Sequence, residues 1–197
     1  MDRRLSILAG LAVSVLVASC QAPMPYSHPQ YERFQREIQP IVEDLHTSTG
    51  MDLFATMQRL IAYDVFAVDL VAKLGSDPNP RVRSNALYIL SHIKDSGFPA
   101  VEDVIEDHLR AGLRDEDQAV RYEAAVGLLS RNHWDVIPVI LEGMCHNDAG
   151  IRYRCHESLR QVTSRDFGYA ANANDSARQS ALEMWQAWYK DWQATSS

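Results

Sequence analysis

Basic charge is in short supply in this chain. Its 19 lysines and arginines stand against 26 aspartates and glutamates, a net charge of −7. Nucleic-acid binding draws on a basic stripe that neutralises phosphates, so that class is set aside. The same deficit removes an electrostatic hold on anionic lipid. Cysteine is scarce too, with only Cys20, Cys145 and Cys155, and their spacing matches no compact zinc site. Beyond residue 18 no segment is apolar enough to cross a bilayer, which takes about 20 residues. No stretch alternates apolar and polar residues between hairpin turns. With strands unsupported, the chain reads as all-α.

What is present is a short pattern, written three times. The first copy is Leu74-Gly75-Ser76-Asp77-Pro78-Asn79-Pro80-Arg81-Val82-Arg83-Ser84-Asn85-Ala86. The second runs from Leu113 through Asp115, Val120 and Arg121 to Ala124, and the third from Met144 through His146, Ile151 and Arg152 to Cys155. Each has an apolar residue, a polar turn, a β-branched residue with Arg directly after it, and a small residue three positions later. Val82 and Val120 are 38 residues apart, and Val120 and Ile151 are 31 apart. Periods of this length indicate stacked helix pairs.

The N-terminus reads as a targeting segment. Arg3 and Arg4 precede an apolar stretch from Leu5 to Ala18, which ends in Val17-Ala18-Ser19-Cys20. This ending resembles the bacterial lipobox. The resemblance implies cleavage after residue 19, lipidation of Cys20, and a protein held at a membrane by its acyl chains, two or more of which make anchoring stable. An ordinary secretory signal and an uncleaved anchor are the alternatives. Gln21 stands where, in enteric bacteria, Asp resembles an inner-membrane retention signal, and so slightly favours the periplasmic side of an outer membrane. Losing Asp2, Arg3 and Arg4 takes the net charge from −7 to −8. The expected organisation is a removed leader at 1–19, lipidated Cys20 with an extended tether at 20–29, and a helical body at 30–197.

Within the body, Tyr31 to Asp44 carries apolar residues at helical spacing, with Pro40 expected to kink or split it. Asp52 is the expected cap of a second helix and Asp64 the start of a third. The repeated pairs follow: the helix ending at Leu74 with Arg81–Lys94, Pro99–Leu113 with Ala119–Arg131, and Trp134–Met144 with Ile151–Thr163. A final helix, 175–193, is expected to start from Asp175 or Ser176 as N-cap and carries Leu182, Trp185, Trp188, Tyr189 and Trp192 as one stripe. It reads as the cap a solenoid needs at its end, or else as an aromatic binding patch.

The Asp–turn–Val-Arg–Ala signature resembles the HEAT repeat family, including its lyase-like branch, over about residues 64–163. The resemblance implies an α-solenoid of stacked antiparallel helix pairs with capping helices at both ends. It also implies a structural ladder in which each Arg bonds the Asp of the preceding turn, Arg121 to Asp77 and Arg152 to Asp115, with Arg83 the third family Arg. His146 replaces the family Asp in the third copy. The lyase-like relatives act on bilins in photosynthetic cells, the wrong compartment for an exported lipoprotein.

Candidate chemistry is sparse. Cys145-His146 and Cys155-His156 could suggest a metal, but adjacent helical residues point about 100° apart and the four cannot converge. His156-Glu157 resembles the His-Glu pairs of HEAT-like di-iron hydroxylases, yet Asn85, Tyr88, Glu123 and Val126 stand where further ligands belong. No metal and no cofactor are expected. Once Cys20 is lipidated, Cys145 and Cys155 are either a disulfide in an oxidising compartment or two reduced thiols, one in the core.

The second helix of each pair is expected to line the concave face. Asn85, Tyr88 and His92, then Tyr122 and Glu123, then Tyr153 and Glu157 are the candidate binding face, or simply solvated positions. The sequence therefore points to a membrane-anchored, non-catalytic scaffold that binds an envelope protein or peptide. The second reading is an envelope enzyme or small-ligand carrier with a pocket between the last repeat and the tryptophan cap, holding His146, Arg165 or Asp166.

Overall fold

The computed structural model describes residues 29–93 and 97–196. The expected leader, Cys20 and tether residues 20–28 lie outside that range, as does Lys94. Every regular element among the described residues is helical. Four pairs follow in order: α1 (Tyr31–Asp44) with α2 (Gly50–Ala62), α3 (Val68–Ala72) with α4 (Pro80–His92), α5 (Pro99–Gly112) with α6 (Gln118–Ser130), and α7 (Ile137–Gly143) with α8 (Ala149–Thr163). A ninth helix, α9 (Asp175–Ser196), packs on α7. Helices α2, α4, α6 and α8 touch in sequence as one row, while α1, α3 and α5 form the row behind. This is the expected α-solenoid.

The helix starts explain the repeated turns. Asn79, Asp117 and Asp148 each stand three residues before the β-branched residue and cap the second helix of a pair. Asn79 accepts from the N–H of Arg81 at 3.0 Å, Asp117 from Ala119 at 2.9 Å, and Asp148 from Gly150 at 2.7 Å. Such caps satisfy amides that have no partner inside the helix. Pro80 and Pro99 sit in first turns, where a missing N–H costs nothing.

Several boundaries differ from expectation. Helix α1 is one segment through Pro40, which lies on its exposed side. Thr49, not Asp52, occupies the cap position of α2. Asp64 has a left-handed φ of 54° and opens only a 3₁₀ turn, Asp64–Ala67, so α3 starts at Val68. Trp134–Val136 is likewise a 3₁₀ turn ahead of α7. Asn174 caps α9, accepting from the N–H of Ala177 at 2.9 Å, while Asp175 is already helical.

The core runs the length of the stack, from Ile38 and Leu60 through Ala86, Leu90, Ile105 and Leu128 to Ile140, Leu159 and Trp185. The small positions Ala86, Ala124 and Cys155 are fully buried. Close helix approach depends on three glycines, of which Gly112 would place a Cβ 2.7 Å from Leu87 Cδ1 and 2.9 Å from Ala124 Cβ. A Cβ on Gly127 would lie 2.7 Å from Leu109 Cδ2 and 2.8 Å from Ser91 Cβ, and one on Gly143 would lie 2.4 Å from the Cys155 sulfur. These distances hold α6 against α4 and α5, and α7 against α8.

Candidate functional site

The three arginines of the repeat make one shared contact and then diverge. Each folds back on its own turn through Nη1. Arg83 donates to the carbonyls of Asp77 (2.9 Å) and Pro78 (3.3 Å), Arg121 to Asp115 (2.8 Å) and Glu116 (3.0 Å), and Arg152 to His146 and Asn147 (both 2.7 Å). Because the guanidinium is planar, this anchor fixes where the Nε–Nη2 edge faces. Arg83 gives that edge to both oxygens of Asp115, at 2.8 and 2.7 Å. Arg152 gives it to the carbonyl of Ala171, at 2.9 and 2.6 Å.

The expected pairings Arg121–Asp77 and Arg152–Asp115 are thus corrected. The arginine reaches toward the following repeat, because its other edge is held by its own turn. Asp77 is met instead by His46 from the α1–α2 turn, at 2.7 Å. That bond holds the His46 imidazole above its ordinary pKa.

The aspartates have a second task. Asp77 accepts from the N–H of Asn79 at 2.8 Å, and Asp115 from that of Asp117 at 2.9 Å. In the third turn His146 Nδ1 accepts from the N–H of Asp148 at 3.0 Å. The histidine therefore replaces the aspartate as turn acceptor, but brings no carboxylate.

On the row of second helices, the face residues behave unequally. Tyr122 leaves the face. It is 4% exposed, its hydroxyl donates to Glu142 at 3.0 Å, and burial together with that bond pushes its pKa up to about 12. The residue after Arg121 turns toward α7, where Gly143 makes room for its ring. Asn85 is half-buried, with its amide nitrogen enclosed and unpartnered among the described residues.

Tyr88, His92 and Glu123 are joined by Arg154. Its guanidinium donates to both oxygens of Glu123 at 3.1 and 2.6 Å and lies 4.8 Å over the Tyr88 ring, which stacks on His92 at 4.0 Å. Sequence reasoning missed Arg154. The signal was its register, three residues after Ile151, as Asn85 and Glu123 stand three after their valines. Glu157 is held by Arg160 and Gln161, which lower its pKa to about 2. Tyr153 is 60% exposed.

Between α4, α6 and α8, the side chains of His92, Tyr153, Arg154 and Glu157 border a groove of about 610 Å³ that Ser91, Ser130 and Gln161 also line, while Asn85, Tyr88 and Glu123 do not. Arg131 closes one side, donating to Glu102 at 2.6 Å and to the carbonyl of Ile93 at 2.7 Å.

The cysteines are not bridged. Cys145 is exposed, whereas Cys155 is buried beside Gly143. Burial pushes the Cys155 thiol up to about 12, leaving it protonated and inert. The disulfide alternative is therefore corrected: the small position that brings α8 against α7 points this sulfur inward. Among the described residues, no three His, Cys, Asp or Glu side chains group closely enough to hold a metal ion.

At the C-terminal end, Trp185 is fully buried. Its ring meets Phe167 at 4.8 Å, Trp188 at 5.5 Å and His156 at 6.0 Å, all edge-on. Trp192 stacks on Trp134 at 5.2 Å, and Arg165 lies 5.7 Å over Trp188. The stripe is packed rather than offered as a patch. Beside the cap is a depression of about 540 Å³ lined by His156, Asp166 and Tyr169 among others. His146 and Arg165 do not line it.

His156 gives this junction a pH dependence. Burial holds its imidazole below the ordinary value and Arg160 adds to this, against Asp166 and Glu157, which favour the charged ring. The unfolded chain therefore takes up the proton first. Stability is full above about pH 6.5 and is lost as pH falls below it toward the depressed folded value. His156→Phe is expected to flatten the loss between about pH 7 and 5, measured by urea unfolding at both ends. An unchanged slope would assign the acid sensitivity to other groups.

Residues 105–184 match a family model described as HEAT repeats. The match begins within α5 and ends within α9, so the first copy of the pattern, at 74–86, lies outside it. A comparison with curated proteins finds no match.

Proposed function

We propose that this protein is a non-catalytic scaffold that captures a protein or peptide segment along the groove of α4, α6 and α8, while lipid on Cys20 holds it at a bacterial membrane. The groove carries the reading. It runs along successive repeats, and its walls mix an exposed tyrosine with hydrogen-bonding side chains, a composition suited to an extended polypeptide. The HEAT-repeat match supports the same role, since stacked helix pairs present extended concave surfaces. The lipobox-like residues Val17 to Cys20 support the anchor, and Gln21 favours the periplasmic side of an outer membrane. No helix among the described residues is long and apolar enough to cross a membrane.

Tyr153→Ala combined with His92→Ala should leave the helical signal intact and weaken crosslinking to an envelope partner by about tenfold. Both side chains border the groove without entering the core. Equal crosslinking by variant and wild type would rule out this face. In the same cells, Cys20→Ala should move the protein from the membrane to the soluble fraction, and continued membrane association would rule out the lipid anchor.

A further inference from the structure

We propose that Arg121 and His146 form a carboxylate-binding site on the turn edge of the solenoid, apart from the groove. The three repeat arginines share one anchor, their Nη1 on the two carbonyls of their own turn. In two of them the opposite edge is filled, by the Asp115 carboxylate for Arg83 and by the Ala171 carbonyl for Arg152. The Arg121 edge, Nε and Nη2, has no acceptor among the described residues.

The sequence explains the vacancy. The position that supplies the carboxylate to Arg83 is Asp115, and its equivalent in the next turn is His146. The carboxylates in and beside these two turns already have partners. Asp115 is held by Arg83, Glu142 accepts from Tyr122, and Asp148 caps α8. Glu116 is drawn to Arg83, at 3.6 Å.

His146 adds a second donor. Its Nδ1 accepts from the Asp148 N–H, so the neutral ring carries its proton on Nε2. Arg121 and His146 are both half-buried. A guanidinium edge with two parallel N–H groups fits the two oxygens of a carboxylate. The site therefore takes a carboxylate, either an acidic side chain of a partner or a small free acid.

The test follows the Arg121 Nε–H resonance in ¹⁵N-labelled protein. One arm titrates sodium acetate against sodium chloride at equal ionic strength. The other titrates a capped hexapeptide copying residues 113–118, which carries the acidic turn. A saturable shift with acetate but not chloride is expected. Binding of the peptide about tenfold tighter than acetate would make an acidic side chain the natural ligand, and equal or weaker binding a small acid. His146→Asp places the missing carboxylate in the slot, so it should raise the melting temperature by several degrees and abolish the shift. Arg121→Gln, read at the backbone amide of Asp148, whose N–H bonds the His146 ring, should show no saturable shift and no gain in melting temperature. No saturable shift with either ligand, or a shift that survives His146→Asp, would overturn the proposal. Neither result bears on the groove.

Discussion

Trp185→Ala is expected to lower the unfolding free energy by about 4 kcal/mol, a usual cost for removal of a large aromatic side chain from a core. The indole is fully buried, and three aromatic rings meet it edge-on. Alanine would leave a cavity between α8, the Phe167 segment and α9 that these rings cannot all collapse to fill. Loosening α9 also uncovers His156 and part of the last repeat. Urea unfolding gives the energy, and limited proteolysis should show early cleavage between residues 165 and 175. A loss under about 1 kcal/mol would mean that the cap is not part of the cooperative unit. Trp185→Phe separates size from polarity. The indole N–H is enclosed without a partner among the described residues, so phenylalanine removes an unsatisfied donor while keeping most of the ring. Its cost should be well below that of alanine.

Asp115→Ala is expected to cost about 3 kcal/mol, because it strands a guanidinium that is 7% exposed and already held by its own turn. It also removes the acceptor for the Asp117 N–H. Asp115→Asn keeps a turn acceptor but loses the charge, and should fall between wild type and alanine. Arg83 holds the Asp115 carboxyl below the ordinary carboxylate range. The contribution is therefore present above about pH 4 and is lost as pH falls through the lower folded value. Acid unfolding of wild type and Asp115→Ala should converge at low pH. A constant offset at every pH would show that the contribution does not depend on the Asp115 charge, and coincident curves that the pair contributes nothing.

The fold was largely legible because the repeat is written in residue types that act locally. Helix α1 matches its periodic span, and Pro99 marks the start of α5. The short first helices α3 and α7 were less so, since each is preceded by a 3₁₀ turn that apolar spacing does not reveal. The capping residues Asn79, Asp117 and Asp148 stand at constant register in the sequence, but the Asp–Arg signature does not by itself mark them as caps. The direction of the arginines was not legible. Residue type says that a guanidinium and a carboxylate can pair, but only the Nη1 anchor decides which neighbour the other edge faces.

The candidate face was harder, for a different reason. Helix α6 is buried at Tyr122 and at every position from Ala124 to Leu129, so no broad polar side marks where its partners end and solvent begins. Register alone therefore puts Tyr122 on the face, although it lies inside. Arg154, which links Tyr88 to Glu123, could have been found only by aligning the third repeat on the first two.

The turns close their own hydrogen bonds within a few residues: one side chain accepts from the amide two positions on, the next caps the helix, and the arginine returns to the carbonyls. Little of this depends on how long the preceding helix is. Helix α5 has 14 residues and α7 has 7, and the spacing between copies falls from 38 to 31, yet α4, α6 and α8 still align. Insertions and deletions can thus accumulate in the first helix of a pair, or in the loop before it, while the row that borders the groove keeps its alignment.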